Sequence, residues 1–173
     1  MKRAPIGLFY GSSTCYTEMS AEKIQQYFGH ENIDIFNIAD TAVNEIDHYQ
    51  QLIFGIPTWD YGELQEDWEA IWEEIDDIKF ADKTVAIFGL GDQIGYPDWF
   101  LDAMGFLHNK LILLGATVIG YWPTEGYTFE TSQALNEEKT QFLGLALDDE
   151  NQFDKTDDRI ALWCEQLKLT FQF

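Results

Sequence analysis

Basic residues are scarce in this chain: ten Lys and Arg stand against 31 Asp and Glu over 173 residues, a formal charge of −21. Binding to nucleic-acid phosphates rests on Lys and Arg that release counterions, so a nucleic-acid partner is excluded. The same charge repels anionic membrane surfaces. Cysteine is nearly absent as well. Cys15 and Cys164 lie far apart, with no Cys or His beside either at metal-ligand spacing, which argues against a disulfide framework and against a zinc site. Long apolar runs are missing too, none approaching the roughly 18 residues that a membrane span needs. The basic opening Met1-Lys2-Arg3 leads into a short apolar stretch broken by Pro5 and Gly7, which reads as a first strand rather than a leader. The expectation is a soluble cytoplasmic protein with no membrane insertion.

What the chain does contain is a regular alternation. Short apolar runs near 4–10, 33–37, 51–57, 84–89 and 117–121 read as strands, and amphipathic stretches near 17–28, 66–76, 99–114 and 157–170 read as helices, with a weaker one near 43–49. That is the pattern of a parallel sheet covered on both faces. At this length folding buries about 70% of the unfolded surface, so one domain over 1–173 is expected. Thr156 is placed to cap the last helix, with Asp157 and Asp158 favouring its dipole. One segment, about 122–141, is polar, aromatic and too long for an ordinary connection. Since apolar residues resume at Phe142-Leu143-Gly144-Leu145-Ala146-Leu147, the fifth strand reads as split around an insertion.

Acids concentrate between Asp60 and Asp77, nine of them with no Lys or Arg. On a helix from about Glu66, Trp68, Ile71, Trp72 and Ile75 face inward while Glu69, Glu73 and Glu74 face solvent. Charge of this density can steer a protein toward basic partner surfaces.

Three loops follow strands and lead into helices. Gly11-Ser12-Ser13-Thr14-Cys15-Tyr16-Thr17-Glu18 offers hydroxyls and free N–H groups at a helix start but no Lys or Arg, a neutral nest suited to a monophosphate. It matches neither the nucleoside-triphosphate loop nor the three-glycine dinucleotide fingerprint. A nucleophilic Cys15 of phosphatase type would want an Arg six residues on, where Ala21 stands. The other loops are Pro57-Thr58-Trp59-Asp60-Tyr61-Gly62-Glu63 and Gly89-Leu90-Gly91-Asp92-Gln93-Ile94-Gly95-Tyr96. Trp59 and Tyr96 sit where two rings can sandwich a planar heterocycle across a crevice.

Taken together, these three loops resemble those of the flavodoxins, and the match spans nearly the whole chain. The excursion after Gly120 resembles the long-chain branch, and Ser12-Ser13-Thr14-Cys15-Tyr16-Thr17-Glu18 with Trp122-Pro123-Thr124-Glu125-Gly126-Tyr127 resembles its flavodoxin-B type. The resemblance implies a three-layer α/β sandwich, its five-stranded parallel sheet in the order 2-1-3-4-5 and its fifth strand split by the insertion. It implies non-covalent FMN, with the phosphate in Ser12, Ser13, Thr14, Cys15, Tyr16 and Thr17 and the isoalloxazine between Trp59 and Tyr96. Asp92 and the backbone of Gly89, Leu90 and Gly91 then lie at the ring edge. The backbone around Trp99, Phe100 and Leu101, and Asp148, lie toward the pyrimidine side, and Pro57, Thr58, Asp60, Tyr61 and Gly62 complete the cofactor-binding set. Cys15-Tyr16 departs from the Gly-Asn that many flavodoxins carry there: either the turn uses an ordinary φ or Cys15 bears strain of about 1–3 kcal/mol. A positive φ in the Asp60-Tyr61 peptide carries a cost of the same kind.

The function so implied is that of a monomeric low-potential one-electron carrier, not an enzyme. Its partners would be an NAD(P)H-dependent flavodoxin/ferredoxin reductase and acceptor redox enzymes with basic docking faces. The alternative is an FMN-dependent NAD(P)H:quinone reductase on the same fold, which needs a nicotinamide pocket and usually a tetrameric interface that no sequence feature supplies. A receiver-type switch is ruled out, because Gly-Ser-Ser at 11–13 and Pro57 stand where it needs acids.

Overall fold

A computed structural model describes residues 2–173. The strands are β1 (Ile6–Tyr10), β2 (Ile33–Asn37), β3 (Gln51–Trp59), β4 (Glu63–Leu64), β5 (Thr84–Leu90), β6 (Thr117–Ile119), β7 (Trp122–Pro123), β8 (Gln141–Phe142) and β9 (Leu145–Leu147). The α-helices are α1 (Tyr16–Phe28), α2 (Glu66–Ile71), α3 (Asp102–Leu113) and α4 (Thr156–Lys168).

β1 pairs in parallel with β2 and β3, β3 with β5, and β5 with both β6 and β9. β6 covers Thr84 to Ala86 of β5 and β9 covers Phe88 to Leu90, so the two are halves of one interrupted fifth strand. The order is β2-β1-β3-β5-β6/β9, which counted over the five parallel strands is 2-1-3-4-5, as the family resemblance implies. β7 and β8 pair antiparallel at the root of the insertion, Trp122 opposite Phe142 and Pro123 opposite Gln141.

Successive strand residues enter opposite cores, the period-two consequence of burial on both faces. Phe9, Leu52, Phe54, Ile56, Val85 and Ile87 pack with Trp68 of α2 and with Leu107 and Leu111 of α3. Leu8, Ile53, Ala86 and Phe88 pack with Ala21 and Ile24 of α1 and with Ile160, Trp163 and Leu167 of α4. The space is tight at the centre. A Cβ on Gly55 would lie 2.2 Å from the Phe88 ring, so only glycine lets β3 and β5 carry that ring between them.

The insertion is packed onto the α3 face rather than held away from it. Phe142 and Ala134 are fully buried in that core, Phe100 contacts Tyr127, Phe129 and Phe142, and the Tyr127 hydroxyl donates to the Ala146 carbonyl at 2.5 Å.

Four helical expectations need correction. The helix expected over 66–76 stops at Ile71 and resumes as a 3-10 turn over Glu74–Asp77. Trp68, Ile71 and Ile75 stay buried nonetheless. Glu73, Glu74, Asp76 and Asp77 would place negative charge at an α-helical C-terminus, where the macrodipole opposes it. The helix expected from 99 begins at Asp102, because Pro97–Trp99 forms a 3-10 turn and Leu101 takes φ 61°. The stretch near 43–49 is 3-10 over Val43–His48. Thr156 is the first residue of α4 rather than its cap, and its hydroxyl bonds the Asp149 carboxylate instead.

Candidate functional site

Because the strands are parallel, the loops after β1, β3, β5 and β9 all lie at one end of the sheet. There they enclose an open cleft of about 200 Å³ lined by Thr14, Tyr16, Thr17, Pro57, Thr58, Trp59, Asp60, Leu90, Gly91, Asp92, Tyr96 and Asp149. Members of all three predicted loops thus share one cavity, and no Lys or Arg lines it.

The first loop leaves several of its donors unpaired. Its entry is pinned by the Gly11 N–H donating to the Gly55 carbonyl at 3.2 Å. Among the described residues, the N–H groups of Ser12, Ser13, Thr14 and Cys15 donate to no backbone carbonyl. The Ser12 hydroxyl oxygen is buried and has no partner. Buried polar atoms are rarely left unpaired, and the chemistry of this donor set, hydroxyls and N–H groups without a base, fits a phosphate group. α1 begins immediately afterwards, adding the positive end of its dipole. Cys15 stands at its N-cap with φ 68°, so the loop takes the strained alternative and not the ordinary φ.

In the second loop Thr58 Oγ1 accepts from the Ala103 N–H at 3.1 Å, tying β3 to the first turn of α3. The turn to β4 uses φ 43° at Asp60 and φ 85° at Gly62. A Cβ at Gly62 would meet Asp102 Oδ2 at 2.8 Å. Asp102 is itself nearly buried, and desolvation holds its carboxyl above the ordinary carboxylate range, partly offset by the Gln133 N–H. Tyr61 is two-thirds exposed and packs edge-on against Tyr96 and Trp99, with centroids at 6.1 and 5.0 Å.

The third loop is self-organised. Asp92 Oδ1 accepts from the N–H groups of Ile94 and Gly95 at 3.1 and 2.7 Å, and from Asn151 Nδ2 at 2.7 Å. Gln93 is buried and donates through both its backbone N–H and Nε2 to Asp148 Oδ2, while its Oε1 accepts from the Thr128 N–H of the insertion. Asp148 also accepts from Asn151. Fully buried, it clamps the third loop to the chain after β9.

The lining includes Asp149, one residue beyond the Asp148 singled out from the sequence. Burial raises the Asp149 carboxyl above its ordinary value, against opposing effects of the Thr156 hydroxyl and Lys23. Ser12, Ser13, Cys15, Tyr61, Gly62, Gly89 and Trp99 lie outside the cleft lining, as does Asp148, while Phe100 and Leu101 are buried in the core. Gln65 escaped sequence reasoning altogether. It lies in an acidic run that reads as a solvated face, yet it is 1% exposed and donates to Ser13 at 3.0 Å.

A sheet of this order, with Trp59, Tyr96 and a Ser/Thr-rich loop meeting in one cleft at its strand ends, has the architecture of the flavodoxin class. The flavodoxin family model matches residues 8–163. "Flavodoxin 2" of Salmonella typhi is 55% identical over 162 residues, 94% of each chain. A flavodoxin of Synechococcus elongatus is 50% identical over 169 residues, 97% of this chain and 98% of its own. A Fusobacterium nucleatum flavodoxin crystallised with flavin mononucleotide superposes with a TM-score of 0.91 at 30% identity, covering 96% of this chain and 98% of that one. The chain belongs to the flavodoxin family. Flavodoxins are themselves a standing example of the rule that ligands bind at the carboxyl ends of strands where the sheet order reverses, here between β1 and β3.

Proposed function

We infer that the protein binds one FMN non-covalently in this cleft and carries single electrons at low potential between an NAD(P)H-dependent reductase and acceptor redox enzymes of the cytoplasm. As a flavodoxin it is an electron-transfer protein rather than an enzyme. The observation that carries the reading is the convergence of a neutral, unsatisfied anion loop with Trp59 and Tyr96 in one cleft. Bound there, FMN supplies the redox chemistry, while the protein positions it and sets its electrostatic surroundings.

Ser12, Ser13, Thr14, Cys15, Tyr16 and Thr17 hold the phosphate through hydroxyls, backbone N–H groups and the start of α1. Trp59 and Tyr96 wall the isoalloxazine, each stacking contact adding about 0.5–1.5 kcal/mol beyond area burial. Pro57, Thr58, Asp60, Tyr61 and Gly62 form one margin, and Gly89, Leu90, Gly91 and Asp92 the other, with Trp99, Phe100, Leu101 and Asp148 supporting the second. Asp60, Asp92 and Asp149 put carboxylates around a cleft that no Lys or Arg lines, so the chain disfavours added negative charge at the cofactor and lowers its potential. The unit over 1–173 acts as one domain and as a monomer.

Exposed acids Glu63, Glu66 and Glu69 line a groove beside Trp59 and Asp60. They are the face offered to basic partner surfaces. Reconstitution of the apoprotein tests the reading. FMN should restore a bound-flavin visible spectrum, should be released by acid, and should bind more tightly than riboflavin. Equal affinity for riboflavin would remove the phosphate role of residues 12–17.

A further inference from the structure

We propose that Gln65 is the positioning residue of the anion loop: its buried carboxamide occupies the Ser13 oxygen so that the Ser13 hydroxyl proton is left to donate to phosphate. The inference rests on the reading of the cleft as an FMN site. Gln65 immediately precedes α2 and is 1% exposed. Its Nε2 lies 3.0 Å from Ser13 Oγ and 2.7 Å from Asp67 Oδ2.

The two ends of a carboxamide are told apart by their partners. A carboxylate only accepts, so the atom facing Asp67 is the nitrogen. That nitrogen has two protons to give and accepts none. One goes to Asp67, and the other goes to Ser13, whose oxygen is therefore the acceptor. The Ser13 proton is uncommitted. Asp67, partly buried, strengthens the arrangement by polarising the amide.

The remaining atom of the amide, Oε1, is buried and has no partner. It is wedged where β1 becomes the loop: a Cβ on Gly11 would lie 2.4 Å from it. An unpaired buried acceptor opposes folding, whereas apolar side chains replacing both partners of a hydrogen bond can be nearly neutral. The amide is thus retained for its two donors. With the unpartnered Ser12 oxygen next in the chain, the loop presents two consecutive hydroxyls that the protein itself leaves unspent.

The test compares FMN and riboflavin binding to full-length apoprotein for the wild type, Gln65→Met, Ser13→Ala and the double variant. Gln65→Met should lower FMN affinity about tenfold and riboflavin affinity by less than about twofold, the loss expected when one charge-assisted hydrogen bond is disordered. Adding Gln65→Met to Ser13→Ala should cost no further FMN affinity, and the phosphorus resonance of bound FMN should shift in Gln65→Met. Equal losses for both ligands, or additive losses in the double variant, would overturn the positioning role while leaving the FMN site intact. A wild type that binds riboflavin as tightly as FMN would overturn the phosphate site and this role together. Should Gln65→Met fail to fold by near-UV circular dichroism, Gln65→Leu removes both donors without adding charge and is judged by the same ratio.

Discussion

Cys15→Gly should stabilise the protein. Cys15 holds φ 68°, ψ −9° at the start of α1, a left-handed conformation that costs a residue with a Cβ about 1–2 kcal/mol. Its side chain is exposed, so removing it forfeits little packing. Against that relief stands the freedom that glycine adds to the unfolded chain, about 0.4–1 kcal/mol. Relief exceeds freedom, leaving a net gain of about 0.5–1 kcal/mol, or a Tm rise of about 1–4 °C for a chain of this size. Leu101 examines the same balance from the opposite side. It takes φ 61° yet is fully buried, and truncating a core leucine costs about 2–5 kcal/mol. Leu101→Gly should therefore destabilise by about 1–4 kcal/mol despite equal relief. Asp60, exposed at φ 43°, belongs to a residue type that tolerates this region, so Asp60→Gly should change stability by less than about 0.5 kcal/mol. Urea denaturation of the three apoproteins, read as midpoint shifts at constant slope, measures the ranking. A midpoint for Cys15→Gly below the wild type, or a Leu101→Gly variant as stable as the wild type, would refute the weighing of strain against packing.

The sheet was legible because β1, β3 and β5 are buried on both faces and so appear as unbroken apolar runs, and because the insertion is polar enough to mark where the fifth strand divides. Helix ends were harder to read. The inward spacing of Trp68, Ile71 and Ile75 is met equally by one long helix and by a helix followed by a tight turn, and the acids that decide between them act through the dipole rather than through periodicity. The start of α3 depended on a left-handed leucine, which no composition signals. At the site, the loops could be read as chemistry because hydroxyls, glycines and tip aromatics have few other reasons to cluster after strands. Asp148 and Asp149 could not be separated, since two adjacent acids after a strand differ only in which way the chain turns. Gln65 was hidden because its importance lies in a contact 52 residues away in sequence.

Trp59→Ala and Tyr96→Ala should each weaken FMN binding and shift its potentials, read by fluorescence titration, and unchanged values in both would mean that the rings only cover the core edge. Gly55→Ala should destabilise by about 1–3 kcal/mol, because its Cβ would fall 2.2 Å from the fully buried Phe88 ring; thermal melts check this. His108 is buried, its Nε2 paired with the Tyr121 hydroxyl at 2.6 Å, and burial lowers its pKa from 6.5. Its neutral form therefore contributes stability that is complete above pH 6.5 and is lost as the pH falls through the lower folded value. His108→Gln should remove that acid-side slope relative to the wild type, and parallel stability curves from pH 7 to about pH 5 would contradict it. Docking is the last test. Glu63, Glu66 and Glu69 are exposed beside the cleft, whereas Asp67 is engaged by Gln65, so the steering charge resides in the three glutamates. Exposed charges are screened beyond about 8 Å at physiological salt, which confines their effect to association rate at low ionic strength. Replacing the three by Gln should slow reduction by the reductase in stopped-flow measurements at low salt, converge on the wild-type rate as salt rises, and leave the FMN spectrum unchanged. Rates equal to the wild type across the whole salt series would make this stretch a solvated face and place docking elsewhere on the molecule.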